Sequence, residues 1–335
     1  MKKIGLIVFL LAGLLLVSAC QGAAPADQKF SLAISDNSGG NKNGAPILTL
    51  QFGKGTPSAN TVVAKKGTPT IDGKDGDSAW GKASTVNLPL SVQKGGGPTS
   101  ATVKAAYDEN NIYFMVNWQD PTQTMSIHKN MMTYNAADKT WQKSGNEDRV
   151  YFLFNINATD FDSGCAVYCH VGNPDWDVTH DSRMGTNNPG EAIDVWHWKA
   201  HRTNPTNHAE DKHWVDLTEA DEITYEGEQV LKTRLADTGD GFASGNSEAG
   251  LPKFMHQNDP GANVDFLFAG DSNTVAFNPN ANWSDGDTVP GYILTEGTGS
   301  RADVIAVSTY SAGTWTVEFQ RSLITNNPDD VQFIE

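Results

Sequence analysis

Strict alternation of apolar side chains sets what this chain can fold into. In ATVKAAY, Val103, Ala105 and Tyr107 alternate with other residues, and in NIYFMVNW, Ile112, Phe114, Val116 and Trp118 do so again. Between them Asp108-Glu109-Asn110-Asn111 reads as a turn. A period of two puts alternate side chains on one face of a strand, so the pair predicts a β-hairpin. A second hairpin is expected near the end, from DVIAVSTY through the Ser311-Ala312-Gly313 turn to TWTVEFQ. RVYFLFNI at 149–156 is apolar on both faces, as a central strand would be, and DVWHWKA at 194–200 is a further strand. Helical signals are weak and short. The expected fold class is therefore mainly all-β: an antiparallel β-sandwich with long loops and few short helices. The hydrophobic share of 38% and the 32 glycines suit such a loop-rich protein.

The N-terminus bears on compartment. Lys2 and Lys3 precede the apolar run IGLIVFLLAGLLLV, as in a secretory signal, and the run is too short to favour a spanning helix. It ends in Leu16-Val17-Ser18-Ala19-Cys20, a lipobox-like sequence in which Cys20 would become the lipidated N-terminus. The domain expectation is thus a signal peptide at 1–20, a flexible tether at 21–60 rich in Gly, Ala, Asn, Ser and Pro, and a β-sandwich at 61–335, with LTLQF at 48–52 as a candidate first strand. The expected location is extracytoplasmic, lipid-anchored to a membrane. A net charge of −16 repels nucleic acid, which excludes that class of partner.

Of three cysteines, Cys20 is assigned to lipid, leaving Cys165 and Cys169 in an oxidising compartment. They stand in GCAVYCH at 164–170, one residue longer between the cysteines than the covalent haem signature C-x-x-C-H. Two thioethers there would hold His170 beneath a porphyrin. The alternatives are a Cys165–Cys169 disulfide pinning a loop, and a zinc site, for which no second Cys/His pair has matching spacing. The stretches 157–192 and 236–262 are the longest without strand pattern, and loops of that size are usually functional. On the first of them, Met184 in DSRMGT is the expected distal iron ligand, since a loop fixed at 165–170 folds its continuation over the opposite haem face at little closure cost. On a strand through DVWHWKAHR, Val195, His197, Lys199 and His201 would share a face, making His197 and His201 competing ligands. Arg183 and Arg202 are candidates to pair with haem propionates. Glu147-Asp148 is expected to cap a turn.

The blocks GNEDRVYFLFNI, RMGT, PGEAIDVWHWKAHRTNP, AEDK, GTWTVEFQRSL and NPDDVQF, in that order, resemble the haem-binding domain of the ethylbenzene dehydrogenase and dimethylsulfoxide-reductase type. The resemblance implies a β-sandwich that binds one haem and transfers electrons without transforming a substrate. Its redox partner would be a molybdenum oxidoreductase, an iron–sulfur subunit or a multihaem cytochrome. In the molybdenum-enzyme complexes the family's haem is b-type, held between Met and Lys. Cys165, Cys169 and His170 depart from that version and imply a c-type relative; in the b-type alternative Lys253, with His256 nearby, would supply the lysine. The segment TPTIDGKDGDSAWGKAS is similar to family 9 carbohydrate-binding modules and their DOMON-like relatives. That similarity implies the competing function, a sugar-binding lipoprotein whose Trp118, Trp196 or Trp198 stack on sugar rings. No G-x-S-x-G, H-E-x-x-H or P-loop is present, so the expectation is an electron-transfer protein and not an enzyme.

Overall fold

The computed structural model describes residues 27–35, 43–44, 47–53, 55–90, 99–120, 130–164, 168, 170, 184–225 and 228–333. Within these, the chain is all-β. Twelve strands carry the argument: β1 (Gln28–Ser35), β2 (Leu48–Phe52), β3 (Thr61–Lys66), β4 (Val86–Pro89), β5 (Ser100–Tyr107), β6 (Asn111–Gln119), β7 (Arg149–Asn155), β8 (Ile193–Lys199), β9 (Glu210–Trp214), β10 (Arg234–Ala236), β11 (Ile305–Ser311) and β12 (Thr314–Ser322). They run as one hydrogen-bonded path, β10-β9-β8-β7-β1-β2-β3-β5-β6-β12-β11, with β4 added beside β5. Among the described residues no helix is long and apolar enough to cross a membrane.

The path folds into two layers because β3 serves both. Its first half, Thr61–Ala64, pairs with β2, and Lys65–Lys66 pair with β5. Side chains pointing inward from the two halves then meet. Phe114 of β6 lies 4.8 Å, centroid to centroid, from Phe152 of β7, which lies 5.1 Å from Phe319 of β12. Trp118, Trp198 and Trp315 form a second aromatic contact across the layers, with 5.2 Å between the last two. Each such side chain removed from water contributes about 1.5–3 kcal/mol before entropy is charged against it.

Both expected hairpins form, as β5–β6 and β11–β12. RVYFLFNI and DVWHWKA supply β7 and β8. Three expectations need correction. The pairs β2–β3 and β3–β5 are parallel, so the sandwich is not wholly antiparallel. The tether expected at 21–60 contains two central strands: Phe30, Leu32, Ile34, Leu48 and Leu50 are fully buried. KFSLAIS carries a period-two apolar pattern between Gly- and Asn-rich flanks. The stretch 236–262 also carries short strands, among them Ala243–Gly245 and Phe254–His256. Met255 packs with Met132, Trp141, Leu267, Val289 and Ile293 in a smaller apolar cluster beside the main sandwich.

The I-D-G…W segment is tied to the sandwich by one buried carboxylate. Glu318 on β12 accepts hydrogen bonds from the Asp72 amide (2.8 Å), the Gly73 amide (2.6 Å) and the Trp80 indole nitrogen. Burial pushes the Glu318 carboxyl upward, and these three donors oppose the shift. Gly73 has φ +76° and sits so close to Ser308 that a Cβ would lie 2.7 Å from its carbonyl carbon, so no other residue fits. Glu318→Ala strands two buried donors and one part-buried one, and should cost about 2–4 kcal/mol in chemical denaturation. A loss under about 0.5 kcal/mol would mean that water replaces the carboxylate.

Candidate functional site

The outward face of β7, β8, β9 and β10 is built by register. Tyr151 stands opposite His197, His197 opposite Glu210, Val195 opposite Lys212, and Trp214 opposite Arg234. At one end this face is apolar. Leu153, Ile193, Val195 and Trp214 pack there under Ala158, Phe161 and Tyr168, with Met184 against them. At the other end it opens into a cavity of about 520 Å³, within the range of roughly 300–1,000 Å³ usual for cofactor and small-molecule sites. Tyr151, Val195 and Trp214 belong to both, so one apolar wall runs from the loop side into the cavity.

Six of the ten residues lining the cavity are cationic and none is acidic: Arg149, Lys199, Arg202, Lys212, Lys232 and Arg234. In a chain of net charge −16 this is a local reversal of sign. Two buried carboxylates beneath the wall make it tolerable. Glu147 accepts from the Arg202 side chain (2.5 Å) and from the amides of His201 and Arg202, with Arg149 at 3.5 Å. Glu210 accepts from Lys199, from Lys212 at 3.2 Å and from Arg301 at 2.8 Å. Burial alone would raise both carboxyls. Arg202, Arg149 and Lys199 hold Glu147 below its usual range, and Lys199, Lys212 and Arg301 hold Glu210 well below. Burial and the neighbouring Arg202 and Lys212 push Lys199 down to about 7 despite Glu210.

His197 lies in this cationic wall. Its ring stacks on Tyr151 at 3.9 Å and 24°. Its Nε2 is buried and has no hydrogen-bond partner among the described residues. Burial, then Lys199, Lys212, Arg149 and Arg202, keeps the imidazole well below its usual pKa, hence neutral and able to offer a lone pair. Its donor atom, the apolar wall and the cationic rim together suit a flat, largely apolar group with anionic substituents and a metal centre.

The other expected site residues fall as follows. Cys20, Cys165, Cys169 and Arg183 lie outside the described residues. His170 is half-buried with Nε2 3.2 Å from the Gly185 carbonyl; burial lowers its pKa, opposed by that carbonyl and by Asp160. Met184 is part of the apolar wall, and its carbonyl accepts from Thr233 at 2.8 Å. His170 and Met184 are therefore brought together through Gly185. Arg202 does line the cavity. His201 does not: β8 ends at Lys199, and the following turn carries His201 inward, where Nδ1 accepts from the Asn130 amide at 2.7 Å and the ring meets Phe266. Lys253 and His256 stand in and beside the short strand Phe254–His256, away from the cavity lining. Glu147 does cap a turn, accepting from the His201 and Arg202 amides, while Asp148 is buried and accepts from the Trp315 indole at 2.7 Å. Trp118, Trp196 and Trp198 are core residues, 2%, 0% and 0% exposed, so none can stack on a sugar.

A family model described as ethylbenzene dehydrogenase matches residues 77–335. The chain belongs to that family. No curated protein matches it. The family match takes in every residue that lines the cavity, together with Glu147 and Glu210 beneath it.

Sequence reasoning had picked out His197 and Arg202 but not Tyr151, Glu147, Glu210, Lys199 or Lys212 as partners. A signal existed in the alternation of Glu210, Lys212 and Trp214 against Asp211 and His213, which marks a strand charged on both faces. The depressed pKa of Glu147 yields a pH test. Its stabilising contribution is complete above the ordinary value of 4.5 and is lost as the pH falls through its folded-state value. Glu147→Gln should cost about 3–5 kcal/mol at neutral pH and narrow its gap to the parent protein below pH 4.5 in urea titrations. A constant gap from pH 7 to pH 3 would remove the carboxylate's charge from the account.

Proposed function

We propose that this chain is a haem-carrying electron-transfer subunit of an oxidoreductase, with the haem seated in the cationic cavity and His197 on its iron. The observation that carries the reading is the buried, unpaired Nε2 of His197 in a wall of six cations. A porphyrin carries two carboxylates, and a rim of arginines and lysines is the surface that receives them. When bound, haem supplies a one-electron ferric–ferrous couple. The chain's own residues do the rest. Tyr151 fixes the plane of the His197 ring. Glu147 and Glu210 hold the rim cations in place while leaving their net charge positive. Val195 and Trp214 exclude water from one face.

The sequence at 164–170 supplies the remaining ligands. Cys165 and Cys169 would tether the porphyrin as thioethers, and His170, now 3.2 Å from the Gly185 carbonyl, would be a further ligand to the iron. Met184, packed into the apolar wall, then serves as a lining residue. The family name supports a redox setting, since it denotes a dehydrogenase. The partner would be a molybdenum oxidoreductase, an iron–sulfur subunit or a multihaem cytochrome. The net charge of −16 would steer a basic docking face on it at low salt.

Protein made with cytochrome c maturation machinery should carry one haem that acid-acetone does not extract. His197→Ala should alter the ferric spectrum and the reduction potential, and Met184→Ala should leave both near the parent values. Haem-free parent protein, or an unchanged spectrum in His197→Ala, would sink the assignment.

Anchoring belongs to the same reading: Cys20 carries the acyl chains that hold the protein on the outer side of a membrane. Cys20→Ser should release the protein into the soluble fraction; a Cys20→Ser protein still processed and membrane-bound like the parent would overturn it.

A further inference from the structure

On the opposite face of β9 from the cavity, a second group of polar side chains converges from three separated parts of the chain. His213 comes from β9, Asp237 follows β10, and Asp329 comes from the C-terminal segment. His213 Nδ1 lies 2.6 Å from Asp237 Oδ1 and 3.4 Å from Asp329 Oδ2. One donor atom from each of the three falls within 4.8 Å of the others. Asp237 is 3% exposed, and its Oδ2 has no hydrogen-bond partner among the described residues. A buried carboxylate oxygen left this way is destabilising unless something occupies it.

The surroundings supply little positive charge. Asp194, Asp211, Asp303 and Asp330 crowd around a single guanidinium, Arg321, which is bonded to Asp194 and Asp211. Asp237 and Asp329 therefore meet His213 at the edge of a region already rich in carboxylates.

We propose that His213, Asp237 and Asp329 form a binding site for a first-row divalent cation of the zinc class. An imidazole nitrogen with two carboxylates is a zinc-type ligand set, whereas calcium and magnesium take oxygen donors in larger number. Bonds of about 2.1 Å at tetrahedral angles put donor atoms roughly 3.4 Å apart. The His213–Asp329 separation of 3.4 Å already has that value. The 2.6 Å contact with Asp237 is a hydrogen bond that opens by less than about 1 Å, or the unpaired Oδ2 turns to the metal. Binding replaces the proton between His213 and Asp237, and the fourth position is left to water. The cation would clasp the C-terminal segment to β9 and the edge strand β10. This inference does not depend on the haem reading.

The test uses the full chain, stripped with a chelator and titrated with Zn²⁺ by calorimetry, with Ca²⁺ and Mg²⁺ as controls. One equivalent of Zn²⁺ should bind and raise the melting temperature, with neither control doing so. Asp329 is at the rim, so Asp329→Asn should melt like the metal-free parent yet bind Zn²⁺ at least about tenfold more weakly. Asp237→Asn should abolish the thermal shift. Failure of the parent to bind overturns the site, as does Zn²⁺ binding that survives in Asp329→Asn and disappears when Cys165 and Cys169 are blocked.

Discussion

Arg321 holds the two layers of the sandwich to each other. It stands on β12 in one layer, is fully buried, and donates from Nη1 to Asp194 of β8 (2.6 Å) and Asp211 of β9 (3.3 Å) in the other. Its Nη2 reaches the Val331 carbonyl at 2.5 Å, and its guanidinium lies 4.7 Å from the Trp196 ring centroid and 5.5 Å from that of Phe333. A buried guanidinium is tolerable only when its charge is met, and here Asp194, Asp211 and the Val331 carbonyl meet it from three directions, although its Nε has no hydrogen-bond partner among the described residues. Because Asp194 and Asp211 are spoken for by Arg321, β8 and β9 are held at a fixed height. The outward residues of the same strands, His197, Lys199, Glu210 and Lys212, inherit that placement. The candidate site is held in place because the core behind it is polar at one point and ion-paired there.

Charge is arranged by face in this half of the molecule. Inward, β8 and β9 carry Asp194 and Asp211; outward, Lys199 and Lys212. The cations of the cavity are stabilised by Glu147 and Glu210 beside them. That allows a strongly acidic protein to keep a positive hollow without neutralising it.

Much of the fold could be read from alternation. The hairpins β5–β6 and β11–β12 and the strands β7 and β8 are long, strongly patterned and bounded by turn residues. The class followed from them. What could not be read was pairing between distant strands: nothing in TVVAKK shows that it bridges two layers through parallel neighbours, because parallel partners need no turn signal between them. The site was legible to a lesser degree. His197 and Arg202 stood out by residue type, but their companions are lysines and glutamates, which in isolation look like solvated surface. Only register shows that Glu210 lies opposite His197, or that β8 stops before His201. The tryptophans illustrate the converse error, since Trp196 and Trp198 suggested a binding surface and are core.

The pairing of β1 with β7 has a consequence for biogenesis. Phe30 lies opposite Phe154, more than a hundred residues further along. A chain synthesised or threaded across a membrane from its N-terminus brings out β1 as a bare apolar ribbon with both hydrogen-bonding edges open. Its neighbour on one side, β2, follows at once, but the other edge stays unpaired until β7 emerges. Such an interval invites mispairing with other chains. Non-local closure of this kind is also slow. The protein should therefore depend on a holding chaperone during its own production, and the most aggregation-prone moment of its life comes before the cationic cavity exists.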